Sequence, residues 1–578
     1  VTRAKAEQIV AETAPATTAA GSGDAGGKGP SQATALRGMA LERYDFGVGQ
    51  DGSPYAVAKS GPRIAQPFSG ARSALRAELA RLYAEHNGGH VPNAGALTDA
   101  LTALHGHALT ADPRPLAIRV GRHGGCLYLD LGRVDGHVVR IAAEGWQVIT
   151  ESPILFRRTA LIGPLPDPAR GSSLDPLLER LNVNSDDWPL LVGYLVSCLI
   201  PDMPHPVLAF NGEQGTGKST ATRLLAMLID PSPAPLRSAP RDVEQWAVTA
   251  QASWLVGLDN VSGIPGWLSD ALCRAVTGDG FLRRLLYTDS DVSVIAYRRC
   301  VILNGIDYGA LRSDLADRML SVRLERIEPD RRRTAAAVEL SDDDRATALG
   351  GLLDIAVKVL AELPGVDLGE MPRMADFSRV LAAMDAATGA CALKRYAEQA
   401  ADLASVVVDA DPFASAVADL MTRLPDGTWT GTGVELLDLL TAPDPRPRTW
   451  PPDGQRANGA LRRAAPALRA AAHLHLTERA HPRTRRTTWT ISRKDHSHLE
   501  PPEEASQPST DAPTCPAAAK HGPRPSSGTP CHTCTAVPAP GDWGPCARCA
   551  TVLIHRYGTR ACVRDGLCPD CRRGSGGS

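Results

Sequence analysis

With 578 residues, 43% of them hydrophobic, the chain can bury several cores and exceeds what one domain usually holds, so three or four domains are expected. A formal net charge of −2, from 62 basic and 64 acidic side chains, excludes a protein that coats nucleic acid over its whole surface and leaves room for local basic patches. The longest apolar run, residues 190–200, is too short to span a bilayer, and no leader-like start is present, so a soluble cytoplasmic protein without membrane contact is expected.

Residues 1–35 are rich in Ala, Thr, Gly and Ser and read as a disordered tail, because they hold too little apolar surface to offset the entropy of ordering. Over 36–165, alternating runs at 116–120, 126–131 and 138–141 separated by Gly and Asp turns, with a helix over 71–86, predict a mixed α/β N-terminal domain. Asp130 and Asp135 lack the histidine or third acidic cluster of a metal-dependent polymerase centre and read as strand-end and turn residues. Residues 174–200 read as a helical lead-in to the next unit, 166–327.

That unit contains Gly-Glu-Gln-Gly-Thr-Gly-Lys-Ser at 212–219, which fits the G-x-x-x-x-G-K-[ST] phosphate loop at every constrained position. Val207, Leu208, Ala209 and Phe210 read as a buried strand before it, and 220–229 as a helix with Leu224, Leu225 and Leu228 on one side. Strand, loop and helix would let backbone N–H groups from Gly212, Glu213, Gln214, Gly215, Thr216, Gly217 and on to Thr220 cradle the phosphates of ATP. Lys218 would place its ammonium on the β/γ oxygens and Ser219 its hydroxyl on Mg²⁺. Downstream, the apolar strand 254–258 ends in Asp259, a position for the carboxylate that organises Mg²⁺. A second strand, 300–303, ends in Asn304, which either orients the attacking water or γ-phosphate or is a turn-forming Asn before Gly305. Arg318, with Arg312 as a nearby substitute, could offset transition-state charge at a neighbouring subunit's nucleotide.

Taken in order, the phosphate loop, Leu-Asp-Asn-Val-Ser at 258–262, Leu-Ser-Asp-Ala-Leu-Cys-Arg-Ala-Val-Thr-Gly-Asp-Gly at 268–280, Val-Ile-Leu-Asn-Gly-Ile at 301–306 and Asp-Leu-Ala-Asp-Arg at 314–318 resemble phage and plasmid replicative primase-helicase ATPases. These are superfamily 3 helicases related to AAA+ proteins, and the resemblance covers about 174–327. It implies a homo-oligomeric ring, usually a hexamer, that threads one DNA strand and hydrolyses ATP at subunit boundaries. It further implies that Lys218, Ser219 and Asp259 bind Mg-ATP, that Asn304 is the sensor and that Arg318 is the trans-acting finger. Arg283, Arg284, Arg298 and Arg299 lie where the family has a DNA-facing hairpin, or are ordinary surface charge. One departure stands out: Asn260 occupies the place of a second acidic residue that polarises water in many relatives, and an amide cannot act as a general base. Glu213 and Glu244 are candidate replacements, and no primase centre is recognisable.

Helical segments are predicted around 342–363 and 376–403, within a unit drawn as 328–410. Over 411–494 the order is helix 413–424, strand 428–432, helix 434–440, helix 458–472, then strands at 473–476 and 487–491, which resembles a winged helix. Arg456, Arg462, Arg463 and Arg469 load its third helix, and Arg479, Arg483, Arg485 and Arg486 its wing, as phosphate contacts to DNA or as a solvated face. Pro466 is expected to kink that helix or mark its start. A Pro/Ser/Glu-rich linker spans 495–530. The tail 531–574 carries Cys546-x-x-Cys549 and Cys568-x-x-Cys571 at the spacing of a four-cysteine Zn²⁺ ribbon. Cys531, Cys534, Cys562 and His532 are possible further ligands.

The fold class expected is therefore multidomain α/β: a P-loop, AAA+-like ATPase core with an N-terminal α/β domain, a C-terminal winged helix and a zinc-ribbon tail. The function expected is an ATP-dependent DNA helicase or translocase replicating a phage, plasmid or integrative element, with single-stranded DNA and origin duplex as partners. The alternative is an ATP-switched DNA-binding initiator or regulator with little hydrolysis.

Overall fold

A computed structural model describes residues 30–68, 74–278, 280–284, 292–305, 311–327, 334, 338–369, 373–480 and 486–493. The cysteine-rich tail, the linker and most of the N-terminal tail lie outside the described residues.

The first unit packs α1 (Gln32–Arg43), α2 (Leu75–His86) and α3 (Ala94–Ala108) beside β1 (Tyr44–Val48), β2 (Pro54–Ala58) and β3 (Ile64–Pro67). Ser31 caps α1 by accepting from the Thr34 amide, so helix starts inside the stretch read as disordered, and residues 32–35 are a correction to that reading. A separate core of Leu36, Leu75, Leu79, Leu82 and Leu104 holds this unit together.

An antiparallel meander follows: β4 (Val120–His123), β5 (Cys126–Asp130), β6 (Val138–Ala142) and β7 (Gly145–Ile149), in that order across the sheet. The short β8 (Phe156–Arg157) runs back to pair with β3. The meander shares its core with everything downstream, since Leu127, Leu129, Val139 and Ile141 belong to the same buried cluster as the phosphate-loop strands. The division of cores thus falls near residue 110, not at 165. Asp130 and Asp135 are structural: Asp130 takes a two-pronged bond from Arg158 (2.6 and 2.9 Å), and Asp135 accepts from Arg133 and the His137 amide.

The central body is a five-stranded, all-parallel sheet of β9 (Val207–Asn211), β10 (Leu236–Ser238), β11 (Leu255–Asp259), β14 (Cys300–Asn304) and β15 (Met319–Arg323), ordered β10-β11-β14-β9-β15. Its central strands are unbroken apolar runs, the pattern of a parallel sheet covered on both faces. The helices of this body are α4 (Asp175–Leu178), α5 (Trp188–Ser197), α6 (Lys218–Ile229), α7 (Val243–Ala252) and α8 (Gly266–Thr277), of which α5, α6 and α8 pack on the sheet. A hairpin of β12 (Gly280–Arg284) and β13 (Val292–Ala296) leaves the sheet between α8 and β14. A short α9 (Ser313–Ala316) leads into β15.

Next come α10 (Asp342–Glu362), α11 (Ala375–Thr388) and α12 (Ala392–Ala410). The run predicted as one helix over 376–403 is two, because the chain turns at Gly389 (φ 75°). Trp146 of β7 donates to Asp354 of α10 (2.7 Å) under the stacked Arg170 guanidinium, which ties the meander to these helices. The last unit is α13 (Pro412–Arg423), β16 (Thr428–Thr432), α14 (Gly433–Leu439), α15 (Gly454–Ala471) and the strands β17 (Leu474–Ala480) and β18 (Thr487–Arg493), in sheet order β16-β18-β17. Of the two expectations for Pro466, the structure removes that of a helix start: Asp453 caps α15 at Arg456, and Pro466 sits inside it.

Candidate active site

In an open parallel sheet, ligands bind beyond the carboxyl ends of the strands. The register brings Asn304 level with Phe210 of β9, and Leu258 level with Leu303, so Asp259, Asn304 and the phosphate loop share that edge. β14, with Asn304, lies between the strand carrying Asp259 and the strand feeding the loop.

The loop turns through Gly212 (φ 150°), Gly215 (φ 84°) and Gly217 (φ 87°), conformations that L side chains rarely adopt. Thr216 is buried and its hydroxyl donates to the Glu213 carbonyl at 3.0 Å, bracing the loop from inside. Lys218 opens α6, and its ammonium donates to the Gly212 and Glu213 carbonyls, both at 2.7 Å. Partial burial lowers its pKa, a cost that an anion seated in the loop would offset. The Ser219 hydroxyl donates to Asp259 Oδ1 at 2.8 Å. A hydroxyl and a carboxylate in contact, above a loop of backbone N–H groups and an ammonium, make a donor set that fits a hard divalent cation with phosphate. Ser219 and Thr220 are exposed, so the edge is open to a ligand.

Asn304 is almost fully buried, and its side chain is engaged at both ends. Its Oδ1 accepts from the Asn260 amide at 2.8 Å and its Nδ2 donates to Thr222 Oγ1 at 3.2 Å. Asn260 itself has a left-handed backbone (φ 54°) and an exposed side chain. Glu213 and Glu244 are both exposed. Thr222 went unnoticed in the sequence, although its place one helical turn beyond Lys218 was a usable signal.

Arg318 precedes β15, and its guanidinium donates to Asp314, through both the carboxylate and the backbone oxygen (2.7 Å to the latter). Arg373, just before α11, bridges the same Asp314 and Asp317. Only 15% of the Arg318 side chain is exposed, against 51% for Arg312, which pairs with Asp270. The backbone of Arg283 and Arg284 lies in the β12–β13 hairpin. Arg298 and Arg299 correct the hairpin reading: Arg298 donates to the Thr277 carbonyl, and Arg299 to the Ala250 and Arg298 carbonyls beside the Trp254 ring. Both fasten the hairpin's base to the body.

In the last unit, Arg456, Arg462, Arg463 and Arg469 all fall on the solvent face of α15, whose opposite face is buried. Arg462 is held in a two-pronged pair by Glu478 of β17, and Arg486 pairs with Glu435 of α14 at 3.2 Å. Both arginines line a groove of about 470 Å³ with Gln455, Asn458 and Thr487. Arg479 is exposed on β17, and Arg483 and Arg485 lie outside the described residues. So do Cys546, Cys549, Cys568 and Cys571. Among the described residues there is no group of three or more His, Cys, Asp or Glu placed to hold a metal ion. Nor is any helix among them long and apolar enough to cross a membrane.

Residues 174–406 match a family model described as the actinomycete integrative conjugative element replication protein, and 413–509 match its RepA C-terminal domain. The first match joins the phosphate-loop body and the helices α10–α12 into one unit, as their common core does. No curated protein matches the chain. Among solved structures, an apo form of the NrS-1 C-terminal region is 12% identical, covers 79% of this chain and 98% of its own, and has a TM-score of 0.36. The SCCmec type IV Cch helicase is 14% identical over 66% of this chain and 77% of its own, with a TM-score of 0.33. Likeness at these scores carries no weight for activity.

Proposed function

We propose that this chain, whose residues 174–406 and 413–509 match replication-protein models of an actinomycete integrative conjugative element, is an ATP-driven DNA helicase or translocase for such an element's replication. The observation that supports it most directly is the 2.8 Å contact of Ser219 with Asp259 above a phosphate loop whose lysine is already in place. In this reading Lys218 holds the phosphates, and Ser219 and Asp259 hold Mg²⁺, which when bound neutralises charge on the β and γ oxygens. Asn304 fixes the edge of the site, and Arg318 or Arg312 reaches the nucleotide of a neighbouring copy in a ring, a hexamer by the family resemblance. The core is AAA+-like, and the element order over 411–494 supports a winged helix whose arginine face meets duplex or single-stranded DNA. The tail cysteines would bind Zn²⁺, the cytoplasm is the site of action, and the phosphate-loop body and α10–α12 act as one unit, a reading that the match over 174–406 supports.

Steady-state ATP hydrolysis with and without single-stranded DNA tests the motor reading. Stimulated turnover that Lys218→Ala abolishes supports it. Tight ATP binding with turnover no higher than that of the variant leaves the second reading, an ATP-switched initiator or regulator. That reading is favoured by the amide at Asn260 and by the in-chain pairing of Arg318 with Asp314.

A further inference from the structure

The departure at Asn260 has a backbone cause. We infer that Asn260 is a conformational joint, not a lost general base, and that Asn304 and Thr222 are positioning residues that hold Asp259 over Ser219 through it. The inference rests on the Mg-ATP reading of the site.

β11 ends at Asp259, and the next residue turns into the left-handed region at φ 54°, as do Arg119 and His473 among the described non-glycine residues. Asn tolerates that region because its short amide satisfies itself locally, whereas a longer side chain such as Glu is strained there. A glutamate at this position would have to occupy a backbone conformation that disfavours it. The sharp turn lets the Asn260 amide reach Asn304 Oδ1 (2.8 Å) while the Val261 amide reaches the Asn304 carbonyl (2.8 Å). The ends of β11 and β14 are consequently so close that a Cβ on Gly305 would lie 2.3 Å from the Val261 carbonyl oxygen. Asn304 Nδ2 then donates to Thr222 Oγ1 (3.2 Å), and Thr222 Oγ1 donates to the Lys218 carbonyl (3.1 Å). One buried amide therefore links the residue after Asp259 to the helix turn that begins with Lys218 and Ser219. The distance between the two oxygen ligands is set by this chain of bonds and not by Asp259 alone.

The test compares Asn260→Gly, Asn260→Glu, Asn304→Ala, Thr222→Val and Thr222→Ser in the full chain, with melting curves to verify folding. Three quantities are read: kcat and KM for ATP hydrolysis, and the Mg²⁺ concentration that half-saturates ATP binding. Glycine, which accepts the left-handed backbone, is expected to keep all three within about two-fold. Asn260→Glu and Asn304→Ala are expected to lower kcat by about ten-fold or more and raise the Mg²⁺ requirement, with KM for ATP little changed because Lys218 is untouched. Thr222→Val, which preserves shape, should move the Mg²⁺ requirement the same way, and Thr222→Ser should restore it. A rise in kcat for Asn260→Glu overturns the inference, since it would show a position awaiting a base. A Mg²⁺ requirement unmoved by Asn304→Ala and Thr222→Val overturns it as well. If the wild type turns over no faster than Lys218→Ala, the motor reading fails separately, and the Mg²⁺ titration still decides the joint.

Discussion

His205, between two prolines at the entrance to β9, shows how one residue can carry a pH dependence. It is fully buried, neither ring nitrogen has a hydrogen-bond partner, and its ring meets Trp254 edge to face at 5.6 Å. Burial, with the nearby Arg298 charge, lowers its pKa from 6.5 to about 3. The unfolded chain therefore binds a proton between those values that the folded chain refuses, so stability rises with pH across that window and is fully present above about 6.5. Between pH 7 and pH 5 this group should cost about 2 kcal/mol, read as a fall in the urea midpoint. His205→Leu should abolish that portion of the slope and stay within about 1.5 kcal/mol of wild type at pH 7, as it removes two unsatisfied nitrogens at near-constant volume. Nothing local marks His205 as buried. The turn through Gly212, Gly215 and Gly217 into the helix that Lys218 opens, by contrast, was legible because the G-x-x-x-x-G-K-[ST] pattern restricts residue type and spacing within a few positions.

At the scale of an element, α15 was legible as a helix but not in extent. Its heptad-spaced arginines announce one solvent face, and the alanines and leucines between them announce the buried one. Pro466 does not begin the helix, because a proline removes one donor and crowds one carbonyl, a local cost that packing along both flanks of an 18-residue helix outweighs. Arg456, Arg463 and Arg469 are expected to contact DNA phosphates. Replacing all three with Ala should weaken binding across sequences alike and reduce the slope of log affinity against log salt by about 1 per arginine, measured by anisotropy over a salt series. An unchanged slope would assign the face to protein packing.

For the whole molecule, the decisive link is Arg119 with Asp230, two fully buried charges 2.8 Å apart that join the meander to the end of α6. Arg119 also donates to the Asp130 and Gly163 carbonyls, and Asp230 accepts from the Trp254 and Leu255 amides. Every hydrogen-bonding group of the pair that these partners reach is shielded from water, so removing one member strands the other. Arg119→Ala should lower stability by about 3 kcal/mol or more in denaturant titrations. Because residues 36–108 have a core of their own, two unfolding transitions are expected, and this variant should move only the larger one. Metal analysis of the full chain should find one zinc per chain, lost together when Cys546 and Cys549 are replaced by Ser.

What the sequence determined by itself was short-range: the phosphate loop, the carboxylate and amide that close two apolar strands, the arginine face and the paired cysteines. Each is specified by residue types within a few positions of one another. What only the tertiary structure decided was direction and partnership: Arg299 turned inward, Arg318 held by Asp314, Asn304 spent on Asn260 and Thr222, and the meander joined to the central body. Apart from Arg318 and Asp314, four positions apart, those outcomes depend on groups 44 to 111 positions apart, and the path of the chain brings such groups together without leaving a pattern in either neighbourhood.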